Sequence, residues 1–587
     1  MVMIGIDFGN DSCVVSIYRY GRIDTLKNEL NDIKTPSMVA FFQSKREFGT
    51  AAKEQWSSNV ANTFFDFKNV MSANTTERWK FGLLKFDQYL SGSKVYFETF
   101  TLTEKQRFIP VQVIAMLLAK IKADVQNFLQ TNERIIGCVL AVPSYFKDTE
   151  RKELLIAAAI ANLDCQFLIK ETTAVAINYS FNRKFATPLN VIFIDFGQNS
   201  IQISACKFNE RQMEMIVEVS SLIGGRDIDE ALADYFIKSR RIRGANKTSK
   251  MFCILLLQAV EELKKNMSFN AERMTLCCNR LFDSDSERVS MDRAEMEIVC
   301  APLFGTIENL MKLCLERSKL QVDDIHSIEM VGGSSHIPII KTLAKKVFRK
   351  EPVATMRDDA VARGCLLKSI FNSKRRRFEI IEIPFGDHFD YNLSANEMKE
   401  SVRVFQLHRH LKSDYRDCFD LTEPEYLQYV ETEKKLSMYD IEEDKRRVAR
   451  KNLDLYLEEQ MKPHGVLAKT SKKIRNHINE TMTSTGGTAD DYVVLLDYWR
   501  RKVKKITKRK LKHINAKPAD VDSSETSDED AALASVIRSH QELRCECPHK
   551  RNAEQECVTP SQNINEPSGR NDKAIVRRKK FTRCCIL

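Results

Sequence analysis

Residues Ile4–Ser12 read IGIDFGNDS and residues Ile192–Ser200 read IFIDFGQNS. Each is a short apolar run followed by Asp, Phe, Gly and small polar residues, the text of a buried strand ending in a sharp turn. A glycine just past a strand lets the backbone turn, so that its N–H groups approach a phosphate closely. An aspartate held at the strand end can carry Mg2+ through water and neutralise the same phosphates. One such turn is common. Two with matching flanks, facing each other, would clamp the phosphate tail of a nucleotide from both sides, which sends the reading outward to look for further parts.

Those parts follow in order. SLIGGRDIDEAL (Ser221–Leu232) places Gly224 and Gly225 before a helical run with Asp227 and Asp229, and MVGGSSHIP (Met330–Pro338) is again a strand, paired glycines and a helix start. Between them AVEELKKNMS (Ala259–Ser268) sets Glu261, Lys264, Lys265 and Ser268 within two helical turns, with Glu261, Lys264 and Ser268 on roughly one face. RIIGCVLAVPSYF (Arg134–Phe146) reads as a strand covered on both faces. Pro110 opens a helix whose Ile114, Leu117, Leu118, Ile121, Val125 and Phe128 recur at helical spacing. Strands alternating with helices make residues 1–383 an α/β module with two lobes.

The composition changes after Ile383. Residues 384–420 are a poorly patterned connector, and 421–516 are a charged helical region in which Ile441, Val448, Leu453, Tyr456 and Leu457 form one apolar stripe, read as a packed bundle face. Residues 517–587 are acidic, then basic, and are expected to be disordered. With 587 residues the chain exceeds what one core holds. The net charge of +11 points to acidic partners, yet it concentrates locally: nine of the thirteen residues from Arg500 to Lys512 are Lys or Arg. Aromatic residues are sparse in that run, so it reads as a solvated helix end rather than a nucleic-acid surface. The sixteen cysteines show no paired framework, and the N-terminus offers no signal peptide, so a reducing compartment is expected, cytoplasmic ahead of nuclear.

The duplicated turns, the glycine pairs and the intervening helix resemble the actin-like ATPase fold, and more narrowly the nucleotide-binding domain of the seventy-kilodalton heat-shock chaperones. KTPSMVAF, NTFFDFKNV, AVPSYFKDTER, KETTAVAINY, LIGGRDIDE, VGGSSHIP and DDAVARG match that family's text in its order, over residues 1–383. GIDFGNDSC and ELKKNMS look like the hundred-and-ten-kilodalton branch, as do LTEPEYLQYVETEKKL and RKNLDLYLEEQM, which resemble its helical lid. The resemblance implies ATP or ADP with Mg2+ as cofactors. It places Asp7 and Asp195 around Mg2+ and Gly9, Asn10, Asp11 and Gly197 at the phosphates. It gives Lys68 the positioning of attacking water and Glu171 the carboxylate near the metal. Gly224 and Gly225 would line the phosphates from the other lobe. Glu261, Lys264, Lys265 and Ser268 would border the adenosine, with Gly332, Gly333, Ser334 and Asp358 closing its other side. Pro143 and Arg151 match the family's relay between lobes.

Several positions depart from the hydrolysing chaperones. Asn10 and Asp11 stand where those carry threonines, Gln198 and Asn199 replace glycines, and Gln202 replaces an aspartate of the metal and water network. His336 stands where an arginine commonly stacks on adenine. Binding without fast hydrolysis is the expectation. The family's substrate-gripping β-sandwich needs about a hundred residues, and the connector is far too short for two packed sheets. EIIEIPFGD is a poor substitute for the foldases' leucine-rich linker. The branch acts mainly by nucleotide exchange, so the resemblance implies a co-chaperone that exchanges nucleotide on a seventy-kilodalton heat-shock chaperone. A weak ATPase acting directly on unfolded polypeptides and a degenerate membrane-tethered scaffold stand as alternatives. The chain ends Cys584-Cys585-Ile586-Leu587 behind the basic run Arg577–Lys580, a prenylation-box reading for Cys584 that would bring an anionic membrane surface.

Overall fold

Two sheets built to one plan carry the first unit, Met1–Glu443. In the first sheet Val2–Phe8 lies parallel to Ile135–Val142 and antiparallel to Ser12–Arg19. Cys165–Lys170 and Arg22–Thr25 flank these strands. In the second sheet Leu189–Phe196 repeats the arrangement, parallel to Ile325–Val331 and antiparallel to Ile201–Phe208. The two quoted stretches are therefore the middle strand of each sheet plus its hairpin turn. Asp7 and Asp195 sit one residue before the strand ends. The computed structural model describes residues 2–42, 45–71, 89–91, 94–101, 104–129, 133–181, 183–239, 249–276, 289–371, 379–385, 423–462, 465–467, 472–483 and 486–515. Residues 386–422, where most of the connector lies, fall outside that set, as do residues 516–587 with Cys584 and Arg577–Lys580.

Each lobe has its own core. In the first, Pro110–Leu129 buries Ile114, Leu117, Leu118, Ile121 and Val125 as its spacing predicts, while Phe128 at its end is exposed. A third core joins the lobes, where Glu171–Ser180 and Ala360–Phe371 pack with Val139, Ile169, Phe193 and Phe208 of both sheets. The two helices meet at Gly364: a β-carbon there would stand 1.9 Å from the Ala174 carbonyl oxygen. One added methyl must push the helices apart, and overpacking of this kind costs about 1–3 kcal/mol. Gly364→Ala is accordingly expected to lower the thermal unfolding midpoint of the first unit. An unchanged midpoint in calorimetry would show that the helices separate freely.

The stretch after Ala360–Phe371 adds a short strand to the second sheet. Glu379–Ile381 joins the edge of the second sheet, parallel to Gln212–Ser221 with Met213 opposite Ile380. Phe385 follows, its ring 4.4 Å from the Arg151 guanidinium and 5.1 Å from the Lys170 ammonium. EIIEIPF, residues 379–385, thus has a defined seat, although the stretch lacks the leucine run. Three residues of strand carry no signal alone, because the edge that orders them lies some 165 residues earlier.

The helix Glu423–Met461 begins in this unit. Tyr426, Tyr429, Val430 and Leu436 pack against the first-lobe core. Beside them Arg46, on the strand Arg46–Phe48, donates to both oxygens of Glu433 at 2.7 and 3.3 Å, to Ser437 at 3.2 Å and, through Nε, to Asp440 at 2.8 Å. Its backbone N–H reaches the other Asp440 oxygen at 2.8 Å. Glu433, Ser437 and Asp440 share one face because they are spaced four and three apart.

In the second unit, Asp444–Leu587, Leu453 and Leu457 form a core with Ile478 of Lys472–Thr483 and with Tyr492, Leu495, Trp499 and Val503 of Ala489–Asn515. The single stripe read from the sequence is therefore corrected. Leu453 and Leu457 are buried and Tyr456 packs beside them, whereas Ile441 and Val448 are 56% and 60% exposed. Five residues separate Val448 from Leu453, which turns the helix by about 140° onto its other side. In the basic run, Arg500, Arg501, Lys504, Lys505 and Lys508 are exposed around the buried Val503, a solvated helix end as expected.

Candidate functional site

Both middle strands deliver their aspartates to one place. Burial pushes the Asp7 carboxyl up to about 7, with the Glu171 charge adding to the rise and Lys68 opposing it. Burial and the charges of Glu171 and Asp7 push Asp195 up to about 8. Lys68, on the short helix Phe67–Met71, is the ammonium among these carboxylates, ion-paired to Glu171 at the start of Glu171–Ser180. Burial favours loss of its proton, but Glu171, Tyr145 and Asp7 outweigh burial and hold its pKa above the ordinary lysine value. The other Glu171 oxygen accepts from Gln202 Nε2, and Gln202 Oε1 accepts from the Ser144 N–H at 2.7 Å. Gln202 thereby links the carboxylate to the turn after buried Pro143. Arg151 braces the same turn by donating to the Phe146 carbonyl at 2.6 Å.

The turns that follow the strands line a common cleft. Asn10, Asp11, Gln198, Arg226, Asp229 and Glu261 are among the residues around it, with Trp56 and Phe65 packed edge to face at 4.6 Å. Gly225 N–H donates to the Gly197 carbonyl at 3.0 Å and Arg226 N–H to the Gln198 carbonyl at 2.8 Å, so the glycine pair rests on the second turn. Asp227 caps the helix Gly225–Lys238 by accepting from Gly224 N–H at 2.7 Å. On the first turn, Ser37 Oγ donates to the Gly9 carbonyl at 2.6 Å.

The residues expected to border the adenosine also converge. A β-carbon on Gly225 would stand 2.3 Å from Ser334 Oγ and 3.2 Å from Lys264 Nζ, which places these three side by side. Lys264 is buried, donating to Asp229 and to the Gly225 carbonyl, both at 2.8 Å. Burial raises Asp229 to about 6 against the pull of Lys264. Lys265 pairs with Glu261 at 2.6 Å; burial would raise Glu261, and Lys265 outweighs it to hold that carboxyl low. Ser268 donates back to the Lys264 carbonyl at 2.9 Å. Gly332 needs its lack of side chain: its φ is +83°, and a β-carbon would meet the Phe196 carbonyl at 2.5 Å and Asp195 Oδ1 at 2.7 Å. A β-carbon on Gly333 would meet nothing within 4 Å, and Asp358 spends its carboxylate on Lys34 at 2.6 Å.

Sequence reasoning passed over Asp66. It is buried, with φ at +61°, and its Oδ1 accepts from Asn10 Nδ2 at 2.5 Å, from Asn69 at 3.0 Å and from Asn199. A non-glycine residue at positive φ beside a cleft is a known mark of a functional site. Its only sequence signal was its place two residues before Lys68.

A family model described as Hsp70 protein matches residues 3–384. The chain belongs to the Hsp70 family. Among its relatives, heat shock 70 kDa protein 4L of Homo sapiens is 35% identical over 427 residues, covering 69% of this chain and 50% of that protein. The 97 kDa heat shock protein of Strongylocentrotus purpuratus is 35% identical over 399 residues, covering 65% and 45%. Heat shock 70 kDa protein 4 of Rattus norvegicus is 33% identical over 426 residues, covering 69% and 50%. The matched region thus spans about half the length of these relatives. They agree with the hundred-and-ten-kilodalton branch to which the motifs pointed.

Membership fixes the fold as an Hsp70 ATPase domain, a family whose ATPases bind ATP or ADP with Mg2+. The residues present fit the cation. Asp7 and Asp195 are half-buried hard-oxygen donors that favour protonation unless positive charge arrives. No three His, Cys, Asp or Glu side chains among the described residues converge as direct ligands.

Proposed function

We propose that this Hsp70-family chain binds an adenine nucleotide with Mg2+ in the cleft and acts as a nucleotide exchange factor for a seventy-kilodalton heat-shock chaperone. The observation that carries the reading is Gln202. An amide stands where hydrolysis uses a carboxylate, and it bonds Glu171 on one side and the Ser144 backbone on the other. Lys68 is drawn to Glu171 in the same chain. A neutral amide cannot take a proton from water at neutral pH, so this arrangement supports holding nucleotide over cleaving it. Asp7 and Asp195 would hold the hydrated Mg2+, which supplies positive charge to the phosphates. Glu261, Lys264, Lys265 and Ser334 would border the adenosine.

The helix Glu423–Met461 supports the exchange role, because its first half is anchored on the first lobe through Arg46 rather than left to swing over a bound peptide. The proposal includes a cytoplasmic setting. The test is stopped-flow release of fluorescent ADP from a purified seventy-kilodalton chaperone on adding this protein. Faster release, lost on deleting residues 421–515, is the expected result. Unaccelerated release would remove the exchange role, and suppression of client aggregation in the same preparation would point to direct action on unfolded polypeptides.

A further inference from the structure

The two phosphate turns are tied to each other by side chains. Asn10 of the first turn donates through Nδ2 to Gln198 Oε1 of the second at 3.2 Å, and Gln198 Nε2 donates back to Asp11 Oδ1 at 3.1 Å. Asn10 and Asn199, one from each turn, also donate to the same oxygen of Asp66. The remaining Asn10 acceptor, Oδ1, takes the Lys68 N–H at 3.2 Å. Asp66 is presented to both amides by its left-handed backbone and braced by two bonds from Asn69 at 3.0 and 3.1 Å. Asp66 and Asn199 are each 9% exposed, so the bond between them forms out of water, where a charge-assisted pair is strong, while the Gln198–Asp11 bond lies at the exposed edge.

We propose that Asn10, Asp66, Gln198 and Asn199 form a latch that holds the lobes together across the phosphate end of the cleft, in the role a bound phosphate group would otherwise fill. Asp66 supplies the anion and the amides supply the donors. Two consequences follow. Lobe closure is uncoupled from nucleotide, since its cross-links belong to the chain itself. Phosphates enter only by displacing the latch, and they meet the Asp66 and Asp11 carboxylates as like charges. The inference deepens the reading of the cleft as a nucleotide site and rests on it for its second consequence only.

The test uses the full chain and two kinds of variant. Asp66→Asn keeps the backbone conformation, since Asn adopts positive φ readily, but replaces the anion by an amide. Gln198→Gly with Asn199→Gly removes the second turn's side chains. One readout is the affinity for ATP with Mg2+ by calorimetric titration. The other is hydrogen exchange of the turn amides, residues 9–11 and 197–199, in nucleotide-free protein. Each variant is expected to bind ATP about tenfold more tightly, the factor that one displaced interaction of 1.4 kcal/mol represents. Turn amides are expected to exchange about tenfold faster. Unchanged exchange in Asp66→Asn overturns the latch, as does ATP binding that weakens in both variants. If neither wild type nor variants bind ATP while the amides still lose protection, the latch stands and the nucleotide reading of the cleft fails.

Discussion

Arg46→Met is expected to destabilise the first unit by about 3–5 kcal/mol, the range for removing one partner of a buried ion pair. Arg46 is 4% exposed and Glu433 6%, and the guanidinium is the group that holds Glu433 and Asp440 at the helix-facing surface. Methionine fills much of the volume but leaves two carboxylates without their cation. Arg46→Lys retains charge yet cannot form the paired bonds to Glu433 while reaching Asp440, so it should fall between the two. The combination Arg46→Met, Glu433→Gln, Asp440→Asn removes the stranded charges and should recover most of the loss. Hydrogen exchange localises the effect: amides of residues 423–443 should lose protection first, because Leu436 and the flanking tyrosines remain as the contacts holding that segment. A midpoint unchanged in Arg46→Met would mean that the helix is held by its apolar face and that the ion cluster contributes nothing.

Asp7→Asn and Asp195→Asn should raise the stability of metal-free protein at pH 8 and leave it unchanged near pH 4. The sign follows from linkage. In the unfolded chain these carboxyls ionise near 3.8; in the folded protein Asp7 does so at about 7 and Asp195 at about 8. The folded state therefore binds more protons, and the stability conferred by the protonated forms is lost as pH climbs from about 4 through 7 to 8. A displacement of roughly three pH units corresponds to a cost on the order of 4 kcal/mol for keeping Asp7 ionised at pH 8. An amide of the same shape carries no such cost. The difference in unfolding midpoint between variant and wild type should thus grow with pH and level off above 8. Mg2+ with nucleotide should reverse the order, stabilising the wild type at pH 8 and doing little for either variant. Variants that are destabilised equally at all pH values would show that the carboxylates serve as hydrogen-bond acceptors in the fold instead.

The site was partly legible because phosphate chemistry leaves local marks. Asp7 and Gly9, then Asp195 and Gly197, are adjacent in sequence, and the strand that precedes each is apolar enough to be read as buried. Lys264 shows where such marks stop. Only the family resemblance puts it at the adenosine, and the structure holds it between Asp229 and the Gly225 carbonyl, partners more than thirty residues away. Asp66 carries no local mark of its role, because its positive φ is invisible until the chain is folded. The helical region misled for a simpler reason. Ile441 and Val448 share one side of a long helix, Leu453 and Leu457 lie on the other, and a run of apolar residues rich enough in either looks like one stripe.

The residues alone determine the two-lobed α/β reading and the repeated Asp-Phe-Gly turns, since each depends on neighbours within a few positions, and comparison with the family's text marks Asn10, Gln198, Asn199 and Gln202 as departures. Folding decided what those departures do. The amides of two turns nearly two hundred residues apart close onto each other and onto Asp66, and Arg46 meets a helix 387 residues downstream. Buried polar groups take their meaning from the partners that replace water around them. Those partners come together only when both lobes are built.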